Sequence, residues 1–425
     1  MGLALLFGVF FLCLVAGVPV AFCLGIAATV GFIYEGLPLF IAFQRIVSGI
    51  SMFSLLAIPF FIFAGELMLQ GGIARRLVNL ASAAVGSLRG GLGVVNVASS
   101  MLFGGISGSA VADISALGSI LMPVMREKGY DADYAVNVTV TSSIAGVVIP
   151  PSHNMILYAI AAGGLPISQL FIAGIVPGVL MSVCLAVVAW AVAVRRGYPA
   201  EAFPGWQVLA VSLLIALPGL FTAVIIVGGV LFGVMTVTES GAFGAIYALV
   251  ITALIYRELT WDKFVAAVLV SVRTTAMVMI LVACASAFAY LLTLYRVPDL
   301  LASFVVSISD SRIVILLMLN FTLLALGMIM DMAALILITT PIFLPVVMDL
   351  GMSPVQFGVI MMMNLGLGLT TPPVGACLFV GCVVGGERME NVVRTIWPFY
   401  GAIFVALMLV TYIPEVSLGL LTLLE

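Results

Sequence analysis

Two aspartates, Asp113 and Asp331, lie in long apolar stretches, and each is followed further along the chain by a Pro-Pro pair, Pro150-Pro151 and Pro372-Pro373. A carboxylate inside a hydrophobic segment is costly, and by default it marks a functional site. Paired prolines remove backbone donors and force the preceding residue out of helical geometry, so Ile149-Pro150-Pro151 and Thr371-Pro372-Pro373 are expected helix breaks. A break frees carbonyls that can replace the hydration shell of a hard cation such as sodium, while the half-helix N-termini opposite favour an anion. Upstream of Asp113, the run Gly104-Gly105-Ile106-Ser107-Gly108-Ser109 consists largely of small residues and hydroxyls. It reads as an ion-binding re-entrant tip or as a close helix contact between small residues. Leu326-Gly327-Met328-Ile329-Met330 leads into Asp331 in the same way, with Thr370 and Thr371 just before the second proline pair. Those threonines either bond back to their own helix or serve as ligands.

Ser152-His153-Asn154 follows the first break and holds the only histidine. Three donors beside half-helix amides suit a carboxylate or hydroxylated anion, against the plain alternative of a satisfied structural histidine. Arg296 either snorkels to the membrane interface or clamps an anion. Glu66 and Glu239 are further acids in apolar surroundings, open to packing, subunit-contact or ion-coupling roles.

The elements that must carry these groups are set by composition. Of 425 residues, 64% are hydrophobic and 8% charged, with a net charge of −3, far from the roughly 25% charged residues of soluble domains. Nothing in this balance suits nucleic acid. Continuous apolar runs such as 50–69, 171–194, 208–235, 240–256, 274–295 and 396–413 have the length of bilayer-spanning helices. Unpaired backbone is intolerable in hydrocarbon and these runs are not alternating barrel strands, so the expected fold is all-α and polytopic, with ten to eleven crossings. The six cysteines form no Cys-x-x-Cys pair and read as packing residues. The first apolar run lacks a preceding basic stretch and is expected to be retained as a span.

Placing the basic residues puts twelve on one face (Arg75, Arg76, Arg89, Arg126, Lys128, Arg195, Arg196, Arg257, Lys263, Arg273, Arg388, Arg394) and Arg45, Arg296 and Arg312 on the other. The crowded face is read as cytoplasmic. This bookkeeping requires one non-crossing hairpin per half, opening to opposite faces, which is an inverted repeat of residues 1–200 and 201–425. Shifting the chain by 222 lays Pro123-Val124 on Pro345-Val346, Gly129 on Gly351, Gly146 on Gly368, Pro150-Pro151 on Pro372-Pro373 and Gly163-Gly164 on Gly385-Gly386. At a shift of 218, Asp113 falls on Asp331, a difference of about one helical turn that a hairpin arm is expected to absorb. Inverted repeats with broken helices are the architecture of secondary transporters. The segment Trp261 to Val270 reads as an interfacial arm helix.

Four motifs in order, Phe63-Ala64-Gly65-Glu66-Leu67-Met68 with Gly71-Gly72-Ile73, Ser107 to Asp113, Ile149-Pro150-Pro151-Ser152, and Gly368-Leu369-Thr370-Thr371-Pro372-Pro373-Val374-Gly375, resemble the large membrane subunit of tripartite ATP-independent periplasmic (TRAP) transporters, the DctM type. The resemblance spans nearly the whole chain. It implies an elevator-type fold in the bacterial inner membrane, a small four-span membrane partner, a periplasmic substrate-binding protein, and sodium-driven import of organic acids such as C4-dicarboxylates or sialic acids. It also implies two or more sodium sites, one from Ser107, Gly108, Ser109, Asp113 and Pro150, the other from Gly327, Asp331, Thr370, Thr371 and Pro372. Substrate contacts are expected at Ser152, His153, Asn154 and Arg296. Many members carry an apolar residue and proline where this chain has His153-Asn154, which bears on the substrate class. Two other readings compete. One is a self-sufficient sodium/carboxylate symporter of the same broad fold; the other is an intramembrane serine protease using Ser107 in Gly105-Ile106-Ser107-Gly108 with His153 as base.

Overall fold

The computed structural model describes residues 1–308 and 311–424. Every regular element among them is a helix, and the one β-type pairing is an isolated bridge between Arg89 and Ala200. Six helices are long and apolar enough to cross a membrane: Phe53–Gln70, Ile167–Arg195, Trp206–Leu231, Val237–Ile255, Trp261–Leu294 and Met332–Asp349. Two bent pairs, Ala132–Val148 with His153–Ala161 and Met389–Thr395 with Trp397–Tyr412, bring the number to eight. Any further crossing falls to shorter apolar helices of 10 to 17 residues. Gly2–Val15 and Val20–Tyr34 are two of these, parted by a left-handed Gly17 and by Pro19.

The expected arm is not a separate helix. Trp261 to Val270 forms the first turns of one continuous 34-residue helix, Trp261–Leu294, whose N-terminus is capped by the Thr260 hydroxyl accepting from the Lys263 amide at 3.4 Å. No proline or glycine interrupts the segment. At about 1.5 Å per residue the helix is roughly 51 Å long, well beyond the ~30 Å hydrocarbon core. It packs against Val20–Tyr34, Leu39–Ile50 and Ala57–Gln70, and Ala57–Gln70 packs in turn against Val237–Val250. Glu239 is spent on a capping box, accepting from the Thr236 amide at 2.8 Å while the Thr236 hydroxyl accepts from its own amide.

A second group of helices carries the hairpins and breaks, with the halves interleaved. Helix Ala110–Glu127 of the first half packs on Ala376–Gly385 of the second. Ala376–Gly385 also crosses Ala132–Ser142, and there a Cβ on Gly381 would lie 2.1 Å from Val140, so that crossing needs glycine. Polar bonds cluster around the end of the first half, two of them reaching into the second. Arg196 bridges Asp131 at 3.0 Å and Asp133 at 2.9 Å, Thr395 donates to Asp133 at 2.7 Å, and Lys128 pairs with Glu201.

One helix of each half shares both boundaries with its counterpart at an offset of 222. Ala110–Glu127 and Met332–Asp349 are both 18 residues long and start 222 apart, with N-caps Ser109 and Asp331. This corrects the one-turn slip expected from the aspartates. Asp331 is the counterpart of Ser109, and the counterpart of Asp113 is Leu335. Both hairpin helices keep the same length, so no arm absorbs an extra turn.

Candidate functional site

The first hairpin runs down helix Gly91–Ser107, turns at Gly108 (φ 61°) and returns up Ala110–Glu127. Glycine stops the first helix because it adopts the left-handed region without steric cost, and Ser109 starts the second by accepting from the Ala112 amide at 3.4 Å. The tip rests directly on the first break. A Cβ on Gly104 would lie 2.5 Å from the Gly146 Cα, and one on Gly105 would lie 3.3 Å from the Pro150 carbonyl oxygen. The break itself takes Ile149 into extended geometry, passes through a cis Pro150-Pro151 bond and bends the helix by 51° before it resumes at His153.

The second half builds the same contact with other side chains. Helix Arg312–Gly327 leads to Asp331, which caps Met332–Asp349 by accepting from the Ala333 amide at 2.9 Å. A Cβ on Gly368 would lie 2.6 Å from the Gly327 Cα. The Met328 carbonyl, in the tip, accepts from the Val374 and Gly375 amides just past the cis Pro372-Pro373 bond. A polar rung joins each hairpin to its broken helix: Ser100 to Ser142 at 2.9 Å in the first half, Asn364 to Asn320 at 2.7 Å in the second.

Both tips and the helix ends beside the two breaks, His153 after the first and Leu369 before the second, open on one cavity of about 330 Å³. Ser107, Ser109, His153, Asn154 and Asp331 line it, together with Glu66 from helix Ala57–Gln70 and Thr274 from the long helix Trp261–Leu294. Among the described residues its walls hold two carboxylates, Glu66 and Asp331, and no lysine or arginine. Asp113 and Ser152 lie behind the wall, fully buried. Among the described residues, neither carboxylate oxygen of Asp113 has a hydrogen-bond partner, and the Ser99 and Ser152 hydroxyls are equally unpaired. Ser100 stands beside Asp113 without bonding it in ordinary geometry. Buried polar groups in native proteins are almost always paired, so the two free oxygens make Asp113 a candidate cation ligand. Carboxylate and hydroxyl oxygens suit an alkali cation, and among the described residues no three His, Cys, Asp or Glu side chains converge as transition-metal ligands would.

Other expected residues fall differently. Thr370 and Thr371 both donate to the Leu367 carbonyl, at 2.8 and 2.7 Å, and the Thr370 carbonyl is taken by the Tyr400 hydroxyl. The structure does not bring Arg296 to the cavity. It lies exposed, at a positive φ of 51°, in the turn after Trp261–Leu294, next to Tyr295, which donates to Glu35 at 2.9 Å. The cavity-facing Thr274 and the buried Ser99, Ser100 and Ser142 went unremarked in the sequence. Asn96, Ser99 and Ser100, with Thr139 and Ser142, form polar faces at helical spacing in otherwise apolar segments, a signal that was there to be read.

Comparison with solved structures gives the class first. The fold matches that of the Alcanivorax borkumensis YdaH transporter over 90% of this chain and 89% of that one, with a TM-score of 0.64 at 14% identity. The likeness is one of fold. Residues 7–416 match the family described as tripartite ATP-independent periplasmic transporter, DctM component, and the chain belongs to that family. The C4-dicarboxylate TRAP transporter large permease protein DctM of Pseudomonas aeruginosa is 40% identical over 368 residues, covering 87% of this chain and 86% of that protein. The sialic acid TRAP transporter large permease protein SiaM of Vibrio cholerae is 36% identical, covering 95% of each. The isethionate TRAP transporter permease protein DctMQ of Oleidesulfovibrio alaskensis is 37% identical over 98% of this chain but only 66% of its own length. The chain is thus a transporter subunit and no hydrolase: Ser107 and His153 share the cavity wall of a permease, which sets the protease reading aside.

Proposed function

We propose that this chain is the large permease subunit of a sodium-coupled TRAP transporter of the bacterial inner membrane. It imports a carboxylate-bearing organic acid handed over by a periplasmic binding protein, and a small four-span subunit completes the membrane complex. The observation that carries the reading is electrostatic. A cavity walled by Glu66 and Asp331, backed by the unpaired Asp113 and free of lysine and arginine, repels an anion until cations enter with it. Sodium at the first tip, between Asp113, Ser107, Ser109 and the Pro150 carbonyl, supplies that charge. A second sodium beside Gly327, Asp331 and the Thr370-Thr371-Pro372 break does the same for the other half. The substrate's carboxylate then lies against the N-terminus of His153–Ala161, where half-helix amides and the His153 and Asn154 side chains supply donors.

The hairpins and breaks of residues 1–200 and 201–425 move together as an elevator against the scaffold of Ala57–Gln70 and Trp261–Leu294, carrying the cavity between faces. The partner subunit is supported by the fused relative, whose extra third of length has no counterpart here. The substrates named for the relatives are two carboxylates, C4-dicarboxylate and sialic acid, and one sulfonate, isethionate, in keeping with a cavity that recognises an anionic acid group first. The test is uptake of labelled C4-dicarboxylate and sialic acid into proteoliposomes holding this chain and both partners. Uptake must require an inward sodium gradient and the binding protein. Unchanged uptake in sodium-free buffer refutes sodium coupling, and full uptake by the chain alone refutes the three-part assembly.

A further inference from the structure

A second cavity, of about 350 Å³, lies further along the same hairpin helix. Ser115 and Ser119 of Ala110–Glu127 form one wall, Gln70, Gly72 and Arg75 another, and Glu258 and Lys263 a third. Leu69 lines both this cavity and the central one. Val111, on the central cavity, and Ser115 and Ser119, on the second, are exposed at four-residue spacing, so one helix face runs from one chamber to the other.

The two chambers carry opposite charge. The central wall has Glu66 and Asp331 and neither lysine nor arginine, whereas the second has Arg75 and Lys263, with Arg76 paired to Glu258 at 2.7 Å. The lining thus holds two cations to one anion, and that anion is already paired with Arg76 outside the lining. The second chamber already holds a carboxylate, the protein's own. Glu258 sits between Arg76 and Gly72, close enough that a Cβ on Gly72 would fall 1.9 Å from its Oε2. Arg75 is exposed and makes no ion pair among the described residues, and Lys263 Nζ donates only to the Glu258 carbonyl at 3.1 Å. The Ser115 and Ser119 hydroxyls donate to their own helix, at Val111 and Ala116. Rotation about χ1 turns them to an anion.

We propose that this second cavity is an exit vestibule that receives the carboxylate of the cargo as it leaves the central cavity, with Arg75 and Lys263 as its anion-binding side chains. The direction rests on the transport reading above, since the basic-residue count puts Arg75, Arg76 and Lys263 on the cytoplasmic face. Cargo leaves a chamber where only co-bound cations neutralise it for one whose fixed charge attracts it, which favours release inward over return. The basic wall would also attract a lipid phosphate, but the shared Leu69 wall and the continuous helix face favour cargo.

The vestibule is tested without any transport step. In the full chain, with its six cysteines replaced, Ser119→Cys is placed in neutral-lipid nanodiscs and its rates of modification by an anionic and a cationic methanethiosulfonate are compared. The anionic-to-cationic rate ratio is expected to fall about tenfold in Arg75→Gln/Lys263→Gln, to stay unchanged in Arg75→Lys, and to rise in Glu258→Gln. Millimolar succinate or N-acetylneuraminate should slow modification in the Ser119→Cys protein and not in the double variant. A ratio insensitive to all three substitutions overturns the proposal. So does protection by phosphatidylglycerol with none by the carboxylates, which makes the chamber a lipid site. A loss of sodium-dependent uptake leaves these ratios unmoved, so the two readings fail separately.

Discussion

Asp113→Asn keeps the shape of the side chain and removes its charge. In the wild type the carboxylate is fully buried with both oxygens unpaired, an arrangement that costs several kcal/mol when no cation is bound. Sodium binding to the folded state then stabilises it by RT ln(1 + [Na⁺]/Kd). For a dissociation constant of about 10 mM and about 100 mM sodium this is roughly 1.4 kcal/mol, and for a chain of this size a shift in melting temperature of about one to two degrees. Thermal unfolding in detergent or nanodiscs, monitored with sodium, potassium or choline chloride at fixed ionic strength, reads the difference. The wild type should gain from sodium alone. Asp113→Asn should lose much of that gain, yet melt no lower than wild type in choline, because the uncompensated buried charge is gone. A sodium-specific shift of undiminished size in Asp113→Asn refutes the assignment of the ion to this carboxylate. A variant that melts far below wild type in choline refutes the claim that the carboxylate lacks partners.

Further outcomes follow from the same geometry. Gly368→Ala sets a Cβ 2.6 Å from the Gly327 Cα, so folded yield by size-exclusion chromatography should drop sharply, by an overpacking cost of about 1–3 kcal/mol. Gly401→Ala, with open space around it, should leave yield unchanged. Asp331→Ala removes the cap on the Ala333 amide and should cost about 1 kcal/mol, measurable as a lower melting temperature. Asp331→Asn should keep the cap but weaken the sodium dependence of uptake. Tyr400→Phe frees the Thr370 carbonyl and should alter the sodium concentration for half-maximal uptake more than the expression level.

Backbone-determining residues were the legible part. Pro150-Pro151, Pro372-Pro373, Gly108 and the pair Gly146 and Gly368 act through sterics that do not depend on what surrounds them, so breaks, tip and repeat offset could all be read from the chain. Side-chain direction was less legible. Glu66 could have packed against lipid, a neighbouring helix or the cavity, and only the crossing of Ala57–Gln70 with the first hairpin turns it inward. The pairing of Asp113 with Asp331 came from matching side-chain chemistry across the halves, but helix capping fixes the register, and it pairs Asp331 with Ser109. Arg296 was weighed as an anion clamp because it precedes the second hairpin in sequence, yet the roughly 51 Å helix before it carries its turn beyond the cavity. That same helix absorbed the expected arm, because two charged residues near its start look interfacial whether or not the helix continues.

The central claim, that sodium carries the anion through the carboxylate-walled cavity, is tested most directly by following labelled sodium and a labelled carboxylate into the same proteoliposomes. These must contain the chain, its small membrane partner and the binding protein. Sodium is expected to enter in fixed proportion with the carboxylate, at more than one ion per molecule, and both fluxes should fall together in Asp113→Asn. Carboxylate entry without accompanying sodium, or sodium entry that is the same with and without carboxylate, would contradict it.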